Sequence, residues 1–235
     1  MHAVYDLSRY PANFNFLESL VAAATLGSKH IIFDDTRGYR AKFSKSETLR
    51  RVESILVPAC ALAGCTHSFG SGSGRDPGYH ISTVLKVYRE QGRLEKLRSV
   101  LPAKQEKYTV TLRKSKRYPE RNSDEQSWRR FASEVGAIVI DDYDAKPIHL
   151  HERMALYAGA EMNYLVANGP IGLLMFSDYP YTAFMKNVNP AYHKEHGWQV
   201  GTQLPWANER QRFVWADDGY ENIRRNAHQG AAGTL

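Results

Sequence analysis

Residues 108–142, YTVTLRKSKRYPERNSDEQSWRRFASEVGAIVIDD, carry the pattern from which the fold is read. Tyr108-Thr109-Val110-Thr111-Leu112 is β-branched and aromatic, the composition of a strand, and it runs into Arg113. A basic loop, residues 114–121, follows. Ser123 with Gln126 three residues later has the spelling of a capping box, with Asp124 and Glu125 in the first turn, where acidic side chains offset the helix dipole. Trp128, Phe131 and Val135 then fall on one helical face, and Gly136 stands where a helix commonly stops. Ala137-Ile138-Val139-Ile140 is a short apolar run closed by Asp141-Asp142, which reads as a buried strand. A strand, a helix and a second buried strand predict a parallel pair joined by a crossover.

The same alternation continues on both sides. Downstream, residues 149–160 predict a helix and 164–166 a strand. Asn168-Gly169-Pro170 is a turn into a short apolar helix over 171–176, and residues 181–184 are the final strand of the set. Upstream, residues 3–6 read as a strand, 15–26 as a helix ending at Gly27, and 30–33 as a buried strand that ends in Asp34-Asp35. Residues 46–64 form the next helix, with Ser44 or Ser46 as cap and Pro58 positioned to kink or divide it. Residues 68–78, SFGSGSGRDPG, read as the most flexible stretch, before helical spacing returns over 83–94 and a connector over 97–105. No internal repeat is present. The pattern predicts an α/β protein with two Rossmann-like parallel-sheet halves: a small one over residues 1–103 and a second over 104–235.

Composition is that of a globular protein, with 43% hydrophobic and 24% charged residues among 235. The formal charge of +6 favours anionic partners: sugar nucleotides, nucleic acid or acidic membrane surfaces. A basic surface without function is the plainer reading of the same number. Cys60 and Cys65 lie on an apolar stretch with no second Cys/His cluster at zinc spacing, so both read as reduced, buried thiols. No apolar run approaches the roughly 20 residues that span a bilayer, and the start lacks a signal pattern. A cytoplasmic protein is expected. Residues 229–235 read as a frayed tail.

Chemistry is expected where the strands end. Loops 113–122, 141–147 and 168–172 leave the carboxyl ends of three strands, and in an open parallel sheet these ends share one rim where ligands bind. The first supplies Arg113, Lys114, Lys116, Arg117 and Arg121, whose guanidinium and ammonium groups suit a diphosphate. The third supplies backbone N–H groups. A solvated surface turn is the structural alternative for the first loop, and a plain turn for Asn168-Gly169-Pro170.

Arg113 after a strand, then Arg121-Asn122-Ser123 and Trp128, resembles the opening of the donor domain in bacterial GT-B glycosyltransferases. Residues 149–184, including EMNYLVANGPIGLLMFSDYP, resemble their nucleotide-sugar pocket. Heptosyltransferases and the α-1,6- and O-fucosyltransferases share this layout, and the likeness covers roughly residues 105–225. It implies a GT-B-like fold and transfer of a sugar from a nucleotide diphosphate donor to a hydroxyl. It also implies that Arg113 and Lys116, with Arg121 and Asn122 in the same loop, hold the diphosphate. Asn168, Gly169, Pro170 and Ile171 would approach the phosphates or ribose by their backbone. Asp141 or Asp142 would orient base or ribose, with helix capping as the alternative, and Gln203 and Gln211 would contact the donor from the aromatic stretch 198–215. The sequence departs from the family in its short first half, which leaves the acceptor open.

A catalytic base is expected from that first half. Asp76, in the glycine-rich stretch, is preferred over Asp34, Asp35, His67 and His80, each of which also fits a turn or surface role. Gly70–Gly74 lacks the Gly-Lys-Ser/Thr ending of a P-loop, so a flexible lid is expected there. His149 and His151, two apart on a helix, face different ways and do not chelate. Asp142-Tyr143-Asp144 has the DxD spelling but follows a strand where capping explains it. No metal and no cofactor beyond the nucleotide-sugar substrate is expected; the transfer would be inverting and metal-independent, and the acceptor a glycan or modified DNA. The rival readings are a nucleic-acid-binding or DNA-base-modifying protein, from the basic run 104–121 with Tyr108 and Tyr118, and a non-catalytic sugar-nucleotide binder.

Overall fold

The computed structural model describes residues 1–40, 43–78, 80–116, 118–142, 148–186 and 188–231. The chain divides into two compact units, Met1–Val100 and Leu101–Leu235.

The first unit holds three parallel strands in the order β1 (His2–Asp6), β2 (His30–Asp34), β3 (Thr66–Phe69). Helix α1 (Phe16–Thr25) connects β1 to β2, and its buried face (Phe16, Leu20, Ala23) meets Tyr5 and Phe33 of the strands. Ring centroids lie 4.8 Å apart for Tyr5 and Phe16 and 5.4 Å for Phe16 and Phe33. The long helix expected over 46–64 is divided at its proline. Segment α2 (Lys45–Arg51), capped by Ser44, passes through a π-helical turn (Val52–Leu56) into α3 (Val57–Leu62), with Pro58 in its first turn. Proline brings no N–H, so the ladder before it must be broken or widened. Helix α4 (Ile81–Gln91) packs on α1 and ends at Gly92.

The glycine-rich stretch is not a lid. Residues 70–75 run as a strap over the face of the sheet opposite the core. Gly70 donates to the Phe33 carbonyl at 3.1 Å, and Arg75 bridges the free edge of β1 (Arg75 N to His2 O 3.1 Å, Val4 N to Arg75 O 2.9 Å). A Cβ at Gly72 would stand 2.5 Å from Ile32 Cδ1, and one at Gly74 2.8 Å from the His2 carbonyl oxygen. Gly72 and Gly74 are there for close approach, whereas Gly70 has open space and a positive φ of 118°.

The second unit is a five-stranded sheet, all parallel, formed by β4 (Glu106–Thr111), β5 (Ile138–Ile140), β6 (Ala160–Val166), β7 (Tyr181–Phe184) and β8 (Gln211–Val214). Their order across the sheet is β5-β4-β6-β7-β8. The chain leaves β4 to one side for β5, then returns across it to β6. The direction of winding therefore reverses between β4 and β6. Helices α5 (Glu125–Val135) and α9 (Tyr220–Ala231) pack on each other, and their inward residues Trp128, Phe131 and Ile223 join Val110, Tyr164, Phe184 and Val214 in one core. Helix α6 (Leu150–Gly159) leads from β5 to β6, α7 (Ile171–Met175) from β6 to β7, and α8 (Pro190–Glu195) follows β7. Beneath α6 the sheet carries polar groups bonded to one another. Thr109 Oγ1 donates to Asn163 Oδ1 at 2.6 Å, and the Thr111 and Tyr157 hydroxyls are bonded at 2.9 Å. Residues 229–231, expected to fray, are helical, and 232–235 lie outside the described residues.

Candidate functional site at the switch point of the second sheet

Strands β4 and β6 are paired in parallel, with Thr111 opposite Leu165, so the loops after both leave from the same rim. The reversal between them opens the sheet's carboxyl edge at that place, which is where open α/β sheets bind ligands.

The loop after β4 is closed by its own hydrogen bonds. Arg113 N donates to Ser123 Oγ at 2.8 Å and Ser123 N to the Arg113 carbonyl at 2.9 Å. The Asn122 amide imitates a strand against Ser115: its Oδ1 accepts the Ser115 N–H at 2.8 Å and its Nδ2 donates to the Ser115 carbonyl at 3.1 Å. Asn122, expected to touch the donor, shapes the loop instead. The capping expectation also shifts by one residue. Asp124, not Ser123, accepts from Ser127 N at 3.2 Å, because the Ser123 hydroxyl is engaged at the loop's neck.

Behind this loop lies a buried charge pair that sequence reasoning missed. Lys186, just past β7, reaches Asp218 at 2.5 Å and donates to the Asn122 carbonyl at 2.7 Å. Asp218 accepts in addition from Asp124 N at 2.8 Å and from Trp128 Nε1 at 2.7 Å. Four segments of the rim are thereby tied together. The position of Lys186 just past its strand, like that of Arg113, was the only available signal.

The cations of the loop divide into two sets. Lys114 is paired with Glu125 at 3.0 Å and with Asp141 at 2.9 Å, and Arg129 also reaches Asp141 at 2.8 Å. Hydrogen bonds from Arg129 and Lys114 hold the Glu125 carboxyl below its ordinary range. Arg153, on α6 and buried, donates to Asp142 and to the Tyr157 hydroxyl. Asp141 and Asp142 therefore serve ion pairs, which is their geometry in place of the expected contact with base or ribose. Lys116 and Arg121 differ: neither is ion-paired among the described residues. Arg117 of the same loop, and Tyr143 and Asp144 of the DxD spelling, lie outside the described residues.

The loop after β6 turns tightly, with Ile171 N donating to the Asn168 carbonyl and Gly172 N to that of Gly169, both at 3.2 Å. Pro170 is buried at the start of α7. Asn168 Oδ1 is shielded from solvent and receives no hydrogen bond among the described residues. A carbonyl-type oxygen so placed repels phosphate and suits a hydroxyl donor.

Gln203 and Gln211 are engaged within the fold. Gln203 pairs with the open edge of β8, its Nε2 donating to the Phe213 carbonyl at 3.0 Å and its Oε1 accepting the Phe213 N–H at 2.7 Å. Gln211 is buried, and its Nε2 donates to the carbonyls of Leu174, Ser177 and Tyr179 at 3.2, 2.9 and 3.0 Å. Both side chains close turns and edges within the fold. Nearby, His193 stands edge-on to Trp198 and Trp215 at 5.3 Å each. Burial, and then the positive charge of Arg121, push its pKa below the usual histidine value.

On the first unit, Asp76 accepts from Arg9 Nη1 at 2.9 Å, the Tyr10 hydroxyl at 2.7 Å and Gly78 N at 2.9 Å. Burial, followed by the hydrogen bond to Asp76, raises the Tyr10 phenol to about 12. Asp34 closes a turn onto Thr36, whose hydroxyl and N–H lower its pKa. His67 is exposed on β3 and His80 stands at the N-terminus of α4. Among the described residues no group of three or more His, Cys, Asp or Glu could hold a metal ion, and no helix is long and apolar enough to cross a membrane.

No family model matches the chain, and a search of curated proteins gave no match. Among solved structures, E. coli heptosyltransferase WaaC with ADP-2-deoxy-2-fluoro heptose is similar, with a TM-score of 0.50 at 13% identity, covering 97% of this chain and 99% of that one. With two parallel sheets, one in each unit, the chain has a GT-B-like, heptosyltransferase-like fold.

Proposed function

We propose that the chain is a glycosyltransferase that moves a sugar from a nucleoside diphosphate donor to a hydroxyl. The observation that carries this reading is the switch point between β4 and β6, flanked by Lys116 and Arg121, which have no ion-pair partner among the described residues, and by Asn168, whose buried side-chain oxygen accepts no hydrogen bond from them. Lys116, Arg121 and Arg113 would offset charge that builds on the diphosphate as the bond to the sugar breaks. The Asn168 oxygen would accept a hydroxyl of ribose or sugar. The fold shared with a heptosyltransferase supports the assignment.

Transfer would be inverting and independent of a metal. A base removes the acceptor proton, the acceptor oxygen attacks the anomeric carbon, and the nucleoside diphosphate leaves with the bonding electrons. Asp76 is our assignment for that base. Its Oδ2 is oriented by the Tyr10 hydroxyl, and its ion pair to Arg9 is open to solvent, with the Arg9 side chain 61% exposed. The acceptor would be a glycan or modified DNA, and the compartment the cytoplasm. A salt-dependent affinity for DNA in the absence of any donor would favour the nucleic-acid reading.

Calorimetric titration of the chain with UDP, GDP, ADP and CDP tests the site. Lys116→Ala with Arg121→Ala should weaken the best ligand by about 10- to 100-fold, since charge-assisted hydrogen bonds contribute roughly 1.5–3 kcal/mol each where they form. Unchanged affinity removes the phosphate assignment. Asp76→Asn should abolish transfer while leaving donor affinity intact.

A further inference from the structure

We infer that Cys60 and Cys65 form a redox-active dithiol, which a small-molecule disulfide converts into a reversible cross-link between the end of α3 and the start of β3. The pair lies in the first unit and is independent of the sugar-transfer reading. Helix α3 ends in a glycine cap. Gly64 takes the left-handed backbone at φ 63° and donates its N–H to the Ala61 carbonyl at 3.0 Å, and Cys65 N donates to the Cys60 carbonyl at 2.9 Å. In such a cap the residue after the glycine commonly packs its side chain on the residue whose carbonyl it binds. Here both are cysteines.

The same hydrogen bond limits their separation. Through standard backbone lengths and that 2.9 Å contact, the two Cα atoms lie no more than about 6.8 Å apart, within the reach of a disulfide. Cys60 is fully buried and Cys65 is 7% exposed. Burial, and then the neighbouring Cys65 thiol, push the Cys60 thiol above its ordinary value. The Cys65 thiol makes only long contacts, 3.6 Å to the Ser28 carbonyl and 3.7 Å to that of Ala63, so turning towards Cys60 gives up little. Oxidised glutathione serves as the oxidant. The Cys65 thiolate attacks one of its sulfurs, the glutathione S–S bond breaks and one glutathione thiolate leaves. The Cys60 thiolate then attacks Cys65 Sγ and expels the second. Two protein thiols are oxidised, one disulfide is reduced to two thiols, and both protons pass from the protein to them. Burial disfavours the attacking thiolates, so the closure is a slow response to sustained oxidation.

The full-length chain is incubated with oxidised glutathione, with intact mass, free thiols and thermal melting as readouts. Wild type should lose both thiols and two hydrogens and retain no glutathione. Its tryptic peptide 52–75, which holds both cysteines, should resist alkylation until dithiothreitol is added. Cys60→Ala should keep one glutathione on Cys65, and Cys65→Ala should keep Cys60 free. The oxidised wild type should melt about 5 °C above the reduced protein, because the cross-link restricts the unfolded chain. Two free thiols, or a single stable glutathione, after prolonged incubation in urea just below the unfolding transition overturn the inference. So does a cross-link between two chains, or an oxidised protein that melts below the reduced one.

Discussion

Asp218 illustrates how much of the second unit's rim depends on one carboxylate. Its side chain is 2% exposed and gathers an ammonium, an indole N–H and a backbone N–H. Removing it leaves Lys186, 13% exposed, as an uncompensated buried charge, which costs far more than the net contribution of the pair. Asp218→Ala should destabilise the fold by about 3–5 kcal/mol, read from urea denaturation, whereas replacing both partners with apolar residues should cost much less. Glu18 makes a prediction of opposite sign. Its Oε2 is sealed from solvent without a partner, and burial raises the carboxyl from 4.5 to about 8. The folded state therefore keeps a proton that the unfolded chain has lost. Stability is unaffected below pH 4.5, falls as pH rises towards 8, and is lowest above it. The limit of that loss is roughly 5 kcal/mol, reduced if the side chain can turn outward. Glu18→Gln should flatten the profile and be the more stable protein at pH 8.5. A parallel pH dependence in both would remove the assignment.

At the scale of elements, the strap over the first sheet sorts the glycines by what they face. Gly74 meets backbone, a carbonyl oxygen that cannot move without disturbing β1, while Gly72 meets the tip of Ile32, a side chain that can turn away. Gly74→Ala should cost about 1–3 kcal/mol and Gly72→Ala clearly less. Circular dichroism melts of the two variants compare them directly, and equal losses would mean that the strap yields as a whole. The sequence showed the glycines but not their reason, because flexibility and close approach have the same spelling. Strand β3 was missed for a related cause. Thr66, His67 and Ser68 offer no apolar alternation, and the strand is held to β2 by His30, whose ring nitrogens meet Thr66 Oγ1 at 2.8 Å and Ser68 Oγ at 2.9 Å. The sequence of β8 reads as part of an aromatic binding stretch, since its edge is completed by Gln203, 10 residues from Phe213, and no local pattern announces that. By contrast β4, α5 and β5 were legible, because Trp128, Phe131 and Val110 repeat at the periods of the elements that bury them. In the site, the loop cations could be read from the sequence. Their division into paired and unpaired sets depends on Glu125 and Asp141 converging from two elements, which spacing alone does not give.

At the scale of the whole molecule, each unit carries its own sheet and its own buried residues: Tyr5, Phe16 and Phe33 in the first, Trp128, Phe131 and Phe184 in the second. The proposed donor groups all belong to the second, whereas the proposed base belongs to the first. Ligand binding to a native state raises its stability by an amount set by concentration over dissociation constant, about 2.7 kcal/mol at a hundredfold excess. A nucleoside diphosphate should therefore protect the second unit selectively. Hydrogen exchange read by mass spectrometry locates that protection along the chain. With ligand, amides of β4, β6 and the loops at 113–122 and 168–172 should exchange more slowly, and those of β1 and β2 should be unchanged. The variant Gln211→Ala, which loses three carbonyl contacts but no proposed ligand group, should speed exchange around α7 and β7 while keeping the ligand's protective effect. Protection confined to β1, β2 and residues 70–78 would place the anion on the other sheet and end the donor assignment.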